Sequence, residues 1–415
     1  MKKSNILFVS VAFPPKSDAE GLQVAKYFHY LQQHKDLEIE VVTSAVPTLY
    51  MPYDADLLPY SVGVGNLISV KLFENRYINY LLNRLGLDQY VFPDYKWSFH
   101  AKSDWVIKNL RKRPQLIYSR SDPKSSSLLA YKLKKHFAVP WVMHLSDLWA
   151  DCPLTKRSKR VSERHHLWEK RCMEAADLVT VTSVPTLDFY KNKYPDYAGK
   201  FRFYPNVYEL TADSFQPDSS QNIQENRFRI VFTGAMAAAR SPEYILEPLQ
   251  QWYQDDPTIE HRIEFMLAGE ADARNREVLR KYELPFVKWL GKVPYNEALK
   301  LQRSAHYLVL IDNPIIDPTL SVFFPSKLLD YMLAQKRILA ITTEGSATDL
   351  VMSDTKGDVC RHTDLASLRS VLSKALYAFE CKQTDYLFTA QPPEKYSAKY
   401  NADRLYQDII NLLNG

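Results

Sequence analysis

The sequence predicts an α/β protein of two Rossmann-like domains facing each other across a cleft. Three observations carry that expectation. The chain has 415 residues, too many for one ordinary core and about right for two. Short apolar runs alternate with amphipathic stretches, as parallel strands joined by helices do. The alternation pauses near Tyr204-Pro205-Asn206 and resumes as a second series of similar size.

Ile6–Val11 is the first strand. Leu22, Ala25, Phe28 and Leu31 then recur at helical spacing. Ile39–Thr43 is the next strand, and Leu116–Ser119 and Trp141–His144 follow. The helix between the last two, Ser126–His136, ends in a Lys-rich turn, which complements the partial negative charge of a helix C-terminus. A helix over Glu163–Ala176 leads into the strand Leu178–Thr182. Residues 1–206 form the first domain. Residues 209–226 are rich in Ser, Asp, Gln and Asn and read as a linker or surface loop.

Arg229–Thr233 opens the second domain, 207–390. A helix over Pro242–Trp252 follows, then strands at Ile263–Ala268, Val287–Leu290, Tyr307–Ile311, Ile338–Ile341 and Asp358–Cys360. Ala402–Leu413 is a closing amphipathic helix.

Composition narrows the function. Hydrophobic residues make up 46% and charged residues 24%, a balance that argues against long disorder. The net charge of +5 is mildly basic, too little for a dedicated nucleic-acid binder but suited to phosphorylated substrates or an anionic membrane surface. The four cysteines, Cys152, Cys172, Cys360 and Cys381, form no C-x-x-C pair and read as reduced thiols of a cytoplasmic protein. No apolar run approaches the ~20 residues that span a bilayer. Lys2-Lys3 before Ile6–Phe13 imitates a signal peptide, but Pro14-Pro15 stands where a small-residue cleavage site belongs.

The most informative stretch is Phe323-Phe324-Pro325-Ser326-Lys327-Leu328-Leu329-Asp330-Tyr331, followed by the apolar run Arg337–Ile341. It reads as a loop, a helix and a buried strand. Pro325 suits the first helical turn, where its missing N–H costs nothing. Lys327 and Asp330, three apart, share one face. A helix start beside an ammonium suits a diphosphate, and a carboxylate one turn further in suits a ribose diol. Taken alone, the two read first as an ordinary surface ion pair.

Five segments, in order along nearly the whole chain, resemble the bacterial group-one glycosyltransferases of the family-four, GT-B-fold kind. They are Phe13-Pro14-Pro15 after the first strand, Pro140–Trp149, Tyr204-Pro205-Asn206, Arg229–Gly234 and Pro325–Tyr331. The last is similar to the donor-site motif of enzymes that assemble surface polysaccharides. The resemblance implies a retaining, metal-independent glycosyltransferase, with attack on the face the leaving phosphate departs from. The donor is a nucleotide sugar, UDP- or GDP-linked, with no other cofactor. The acceptor is a glycan or a polyprenyl-diphosphate-linked sugar. It also implies that 395–415 packs back onto the first domain.

In that light Gly234, Arg240, Pro325, Ser326, Lys327 and Asp330 are the donor-binding candidates. Arg240 takes the place of the family's lysine and Asp330 that of its second glutamate. Pro14, Pro15 and Gly21 form the acceptor-side loop. Asp147 and His144 are the catalytic candidates, because they follow an apolar strand where α/β sheets place ligands. Each has a plainer reading: Arg240 as a solvated loop residue, His144 as a satisfied core histidine, Asp147 as a helix cap. Two departures stand out: Ala235 replaces the family's arginine, and Val322 stands eight before Asp330 where a glutamate is common. They keep open a non-catalytic nucleotide- or glycan-binding protein, or a nucleotide-sugar epimerase or phosphorylase on the same frame.

No metal is expected. Asp54-Ala55-Asp56 follows Met51-Pro52-Tyr53 rather than an apolar strand, and His165-His166 are adjacent rather than a helical turn apart. The basic run Lys156–Arg160, continued by Arg164, Lys170 and Arg171, is either a solvated helix face or a contact with anionic lipid at the inner face of the plasma membrane.

Overall fold

The computed structural model describes residues 3–210, 226–237, 239–315, 321–355, 357–389 and 391–415. The expected linker at 209–226 lies almost wholly outside them. The chain forms two compact units: Met1–Glu209 with Ser397–Gly415, and Leu210–Tyr396. No helix among the described residues is long and apolar enough to cross a membrane.

The first unit is a seven-stranded sheet: β1 (Ser4–Val9), β2 (Leu37–Ser44), β3 (Asn66–Val70), β4 (Leu116–Ser121), β5 (Trp141–Leu145), β6 (Leu178–Val181) and β7 (Phe201–Phe203). The order is β3-β2-β1-β4-β5-β6-β7, and every pairing is parallel. Helices cover both faces, so the central strands are apolar throughout. Ile6, Leu7, Phe8 and Val9 are each no more than 1% exposed. Each such side chain contributes about 1.5–3 kcal/mol by leaving water.

The last helix, Ala398–Asn414, completes this unit by resting against the first, Ala19–Leu31. Its Leu405 and Ile409 join the core with Val24, Phe28 and Leu31. Tyr204 Oη donates to Asp408 (2.6 Å) and Tyr406 Oη to Asp36 (2.6 Å).

The second unit is a six-stranded sheet: β8 (Phe228–Thr233), β9 (Ile263–Ala268), β10 (Val287–Gly291), β11 (Tyr307–Ile311), β12 (Arg337–Ile341) and β13 (Asp358–Cys360). Its order, β10-β9-β8-β11-β12-β13, is again wholly parallel. Both sheets reverse strand order beside their first strand. The crevice outside the carboxyl ends at such a reversal is where open α/β sheets bind ligands. The two units together are the GT-B architecture.

Candidate functional site

In the second unit the reversal lies between β8 and β11. The chain leaves β8 through Gly234, whose φ of +128° an L side chain rarely adopts. A Cβ there would stand 3.0 Å from Lys327 Nζ, so the glycine leaves room for the lysine to lie along the backbone. Lys327 opens the helix Lys327–Leu333, whose Leu328, Leu329, Tyr331 and Met332 are buried. Tyr331 pins that helix to the sheet: its hydroxyl accepts from Thr233 N (2.8 Å) and donates to Val309 O (3.1 Å).

Lys327 Nζ is sealed from solvent and has no hydrogen-bond partner among the described residues. Arg240, on the loop after β8, has a buried Nε that also lacks one. Burial lowers the Lys327 pKa well below its usual value; the Arg240 guanidinium lowers it further, and Asp312 opposes both. Buried polar hydrogens are normally satisfied, so two buried nitrogen donors without a partner among the described residues mark a candidate anion site. With seven residues, the helix itself adds only a small dipole, and the two side chains carry most of the charge.

Lys327 does not make the surface ion pair with Asp330 that their spacing allows. Asp330 is buried and accepts from Tyr295 Oη (3.1 Å). Pro325 and Ser326 form the turn into the helix: Leu328 N bonds Pro325 O (3.0 Å) and Leu329 N bonds Ser326 O (3.1 Å). Sequence reasoning missed Asp312 and Asn313, which directly follow β11. Asp312 Oδ2 accepts from Thr342 (3.2 Å) and Thr348 (2.7 Å), and its carbonyl meets His362 Nε2 at 2.9 Å. Asn313 Oδ1 is buried without a partner among the described residues. A polar pair immediately past an apolar strand was the available signal.

In the first unit the reversal lies between β1 and β4. Asp147, two residues past β5, faces Asp122 beyond β4. Burial pushes the Asp147 carboxyl up to about 7, and the Asp122 carboxylate adds to the rise; Lys124 opposes it. Lys124 Nζ bonds Asp122 Oδ1 (2.7 Å) and the Asp147 carbonyl (3.0 Å). Beside this group Arg120 Nε donates to Glu20 (3.0 Å), and Ser146 Oγ donates to the other Glu20 oxygen. Asp147 is therefore held among carboxylates rather than in a simple helix cap.

His144 lies inside β5, not beyond it, and is 1% exposed. Its Nδ1 meets Thr180 Oγ1 at 2.9 Å, and its Nε2 is buried with no partner among the described residues. Burial, with Arg120 and Lys124 nearby, holds the ring neutral. Pro14 and Pro15 form the turn after β1. Gly21 belongs to the first turn of the Ala19–Leu31 helix rather than to that loop. A Cβ on it would stand 2.3 Å from Lys16 O, so only glycine lets the helix start against the turn. Glu20, Arg120, Asp122 and Lys124 also escaped sequence reasoning, although Asp122 and Lys124 directly follow β4.

Among the described residues, Asp151, His166 and Glu169 bring ligand atoms within 4.8 Å of one another. Lys193 Nζ bonds both carboxylates, so an ammonium already occupies the place between them that a metal ion would take. Asp54 Oδ1 accepts from Asp56 N (3.0 Å), a local turn bond. A surface hollow lined by Arg276, Tyr282, Pro285 and Trp289 flanks the edge strand β10 and contains no residue of either group.

No family model and no curated protein sequence matches this chain. Solved structures do. The α,α-trehalose-phosphate synthase (UDP-forming) from Burkholderia vietnamiensis superposes with a TM-score of 0.68 at 11% identity, covering 100% of both chains. HepE from Anabaena in complex with UDP gives 0.55 at 13% identity, over 99% of this chain and 97% of that one. A UDP-N-acetylglucosamine 2-epimerase gives 0.58 at 11%, over 99% and 96%. These likenesses define the class by fold: a GT-B protein, whose structural neighbours include glycosyltransferases and nucleotide-sugar epimerases.

Proposed function

We propose that this chain is a retaining, metal-independent glycosyltransferase that moves a sugar from a nucleoside-diphosphate donor to a glycan or lipid-linked acceptor in surface-polysaccharide assembly. The observation that carries the reading is the unpartnered pair Lys327 and Arg240 beside Gly234. Transfer leaves negative charge on the departing β-phosphate, and preorganised cations in a dry site stabilise that charge most effectively. Two nitrogen donors already desolvated there need little reorganisation when it appears, and Lys327, its pKa lowered by burial, takes up a proton with the anion. Asp330, one turn into the helix, would accept from the ribose hydroxyls, as a carboxylate can.

In this reading the second unit holds the donor and the first supplies the acceptor groups. Asp147, with its carboxyl held near neutrality, orients the acceptor hydroxyl and takes up its proton. Asp122 and Lys124 fix its position. His144, closed in by its strand, would contribute a hydrogen bond from Nε2 only after local opening. Basic residues of 156–171 would contact an anionic membrane that carries the acceptor.

Calorimetric titration with UDP, GDP, ADP and CMP tests the donor step. Binding of one diphosphate, lost in Lys327→Ala and Arg240→Ala, supports the reading; no binding by any of them ends it. A second reading, nucleotide-sugar epimerase, draws on the epimerase neighbour and on the Asp122–Asp147–Glu20 carboxylates. It predicts conversion of the nucleotide sugar with no acceptor present, which chromatography of the recovered donor distinguishes.

A further inference from the structure

We propose that the helix Arg76–Arg84 is a membrane-docking element that seats its apolar face in an anionic bilayer. For its purpose this rests on the lipid-linked acceptor proposed above, but its physical basis is independent of the nucleotide site. The helix has no buried residue. At 100° per residue, Tyr77, Ile78, Leu81 and Leu85 fall on one arc, and they are 84%, 45%, 54% and 59% exposed. The residues that are only half-exposed are Leu82, just beyond that arc, and Asn79, on the opposite side of the helix. The helix therefore turns its apolar stripe outward, the reverse of an ordinary surface helix.

It is nonetheless well formed. Isolated helices this short are marginal in water, yet both ends are closed. The Asn75 side chain accepts from Tyr77 N (2.9 Å) and Ile78 N (3.1 Å). Gly86, at φ +66°, ends the helix, with Leu87 N bonded to Leu82 O (2.7 Å). Rigid closure of a helix whose apolar face meets water points to a partner for that face.

The charge around it selects a lipid partner. The helix carries Arg76 and Arg84 at its two ends and no carboxylate. Glu74, just before it, is neutralised by Lys96, and Asp88 is the first acidic residue after it. The basic run is tied to the segment that follows the helix: Ser158 N bonds Gln89 O (3.3 Å), and the Arg164 guanidinium lies 4.0 Å above the Phe92 ring. Lys156, Lys159 and Arg160 of that run are exposed. An apolar stripe with tyrosines, flanked by exposed cations, matches an interfacial helix on anionic lipid.

The test is co-sedimentation of the full chain with phosphatidylcholine vesicles, with and without half phosphatidylglycerol. We expect strong partition onto the anionic vesicles, weakened by salt. Leu81→Glu with Leu85→Glu should cut it at least about tenfold, and charge reversal at Lys156, Lys159 and Arg160 should do the same. Both sets of residues are exposed, so melting temperatures and UDP binding should not change. Leu81→Trp should shift its emission to the blue on adding anionic vesicles. Wild-type protein remaining in the supernatant at low salt overturns the proposal. So does equal partition of the Leu81→Glu/Leu85→Glu variant, or a dimer in sedimentation velocity that this variant dissolves. Loss of UDP binding with vesicle binding intact would instead count against the transferase reading alone.

Discussion

Lys327 Nζ rests on the face of the Phe232 ring, 4.1 Å from its centroid, and has no hydrogen-bond acceptor among the described residues. A ring face returns about 0.5–2 kcal/mol to a cation, far less than the hydration it replaces. In the proposed donor site this lysine would be stabilised by a bound anion rather than by the free protein. Lys327→Met should raise the melting temperature by relieving an uncompensated buried amine, worth about 1 kcal/mol or more. The same substitution should weaken diphosphate binding by about 1.5–3 kcal/mol, the value of a charge-assisted hydrogen bond. Thermal melts and calorimetry read the two effects. A destabilised variant with unchanged affinity would show the lysine to be structural.

Diphosphate binding should be accompanied by proton uptake. The Lys327 pKa is depressed in the folded state, so below its ordinary 10.5 the folded chain binds fewer protons than the unfolded one. Its contribution to stability is greatest above that value and is lost as pH falls toward the depressed pKa. A bound diphosphate supplies the missing counter-charge and restores the proton. Titrations in two buffers of different ionisation enthalpy should therefore differ in observed heat. Identical heats would refute the linkage.

Asp147 titrates in the opposite sense. Its folded pKa is raised from 3.8 to about 7, so the folded state holds the extra proton in that window. Stability is greatest at the acid side and is lost as pH rises through it. Asp147→Asn should flatten urea midpoints between pH 4 and pH 7 and leave the variant more stable than wild type at pH 8. In the proposed transferase it should also slow turnover by about a hundredfold or more, the usual worth of a general base. Wild-type turnover in this variant would remove Asp147 from the chemistry.

Gly269 supports the Gly234 turn from beneath. A Cβ there would stand 1.9 Å from Gly234 O, at a φ of +149°. Gly269→Ala should cost about 1–3 kcal/mol and shift Gly234, so diphosphate affinity should fall as well. Gly291→Ala is the control: its φ is also positive, at +68°, but a Cβ would have nothing within 4 Å. That variant should lose stability alone. Equal losses of affinity in both would argue that the turn does not shape the site.

Much of the sheet was legible because central parallel strands are buried on both faces and read as unbroken apolar runs. Ile263–Ala268 and Tyr307–Ile311 have the limits expected from sequence. β3 went unseen because it is an edge strand, half-exposed and interrupted by Asn66 and Ser69. β7 is only three residues long. The Arg76–Arg84 helix escaped because no core position anchors its pattern. At the candidate site, residue types such as Lys327 and Arg240 could be named from spacing, but not their lack of partners, which is a property of the surroundings. Glu20 and Arg120 lie 100 positions apart and are each buried because the other is there. No local pattern announces such a pair.

The Ala398–Asn414 helix has a consequence for biosynthesis. The hydrophobic layer over the first helix is closed by side chains that the ribosome adds only after the whole second unit. Between Glu209 and Ser397 lie the 187 residues of the second unit, from Leu210 to Tyr396. At roughly 5–20 residues per second their synthesis takes about 10–40 s. Throughout that interval the emerging amino-terminal sheet carries a bare greasy flank around Val24, Phe28 and Leu31, the kind of surface that chaperones hold on nascent chains.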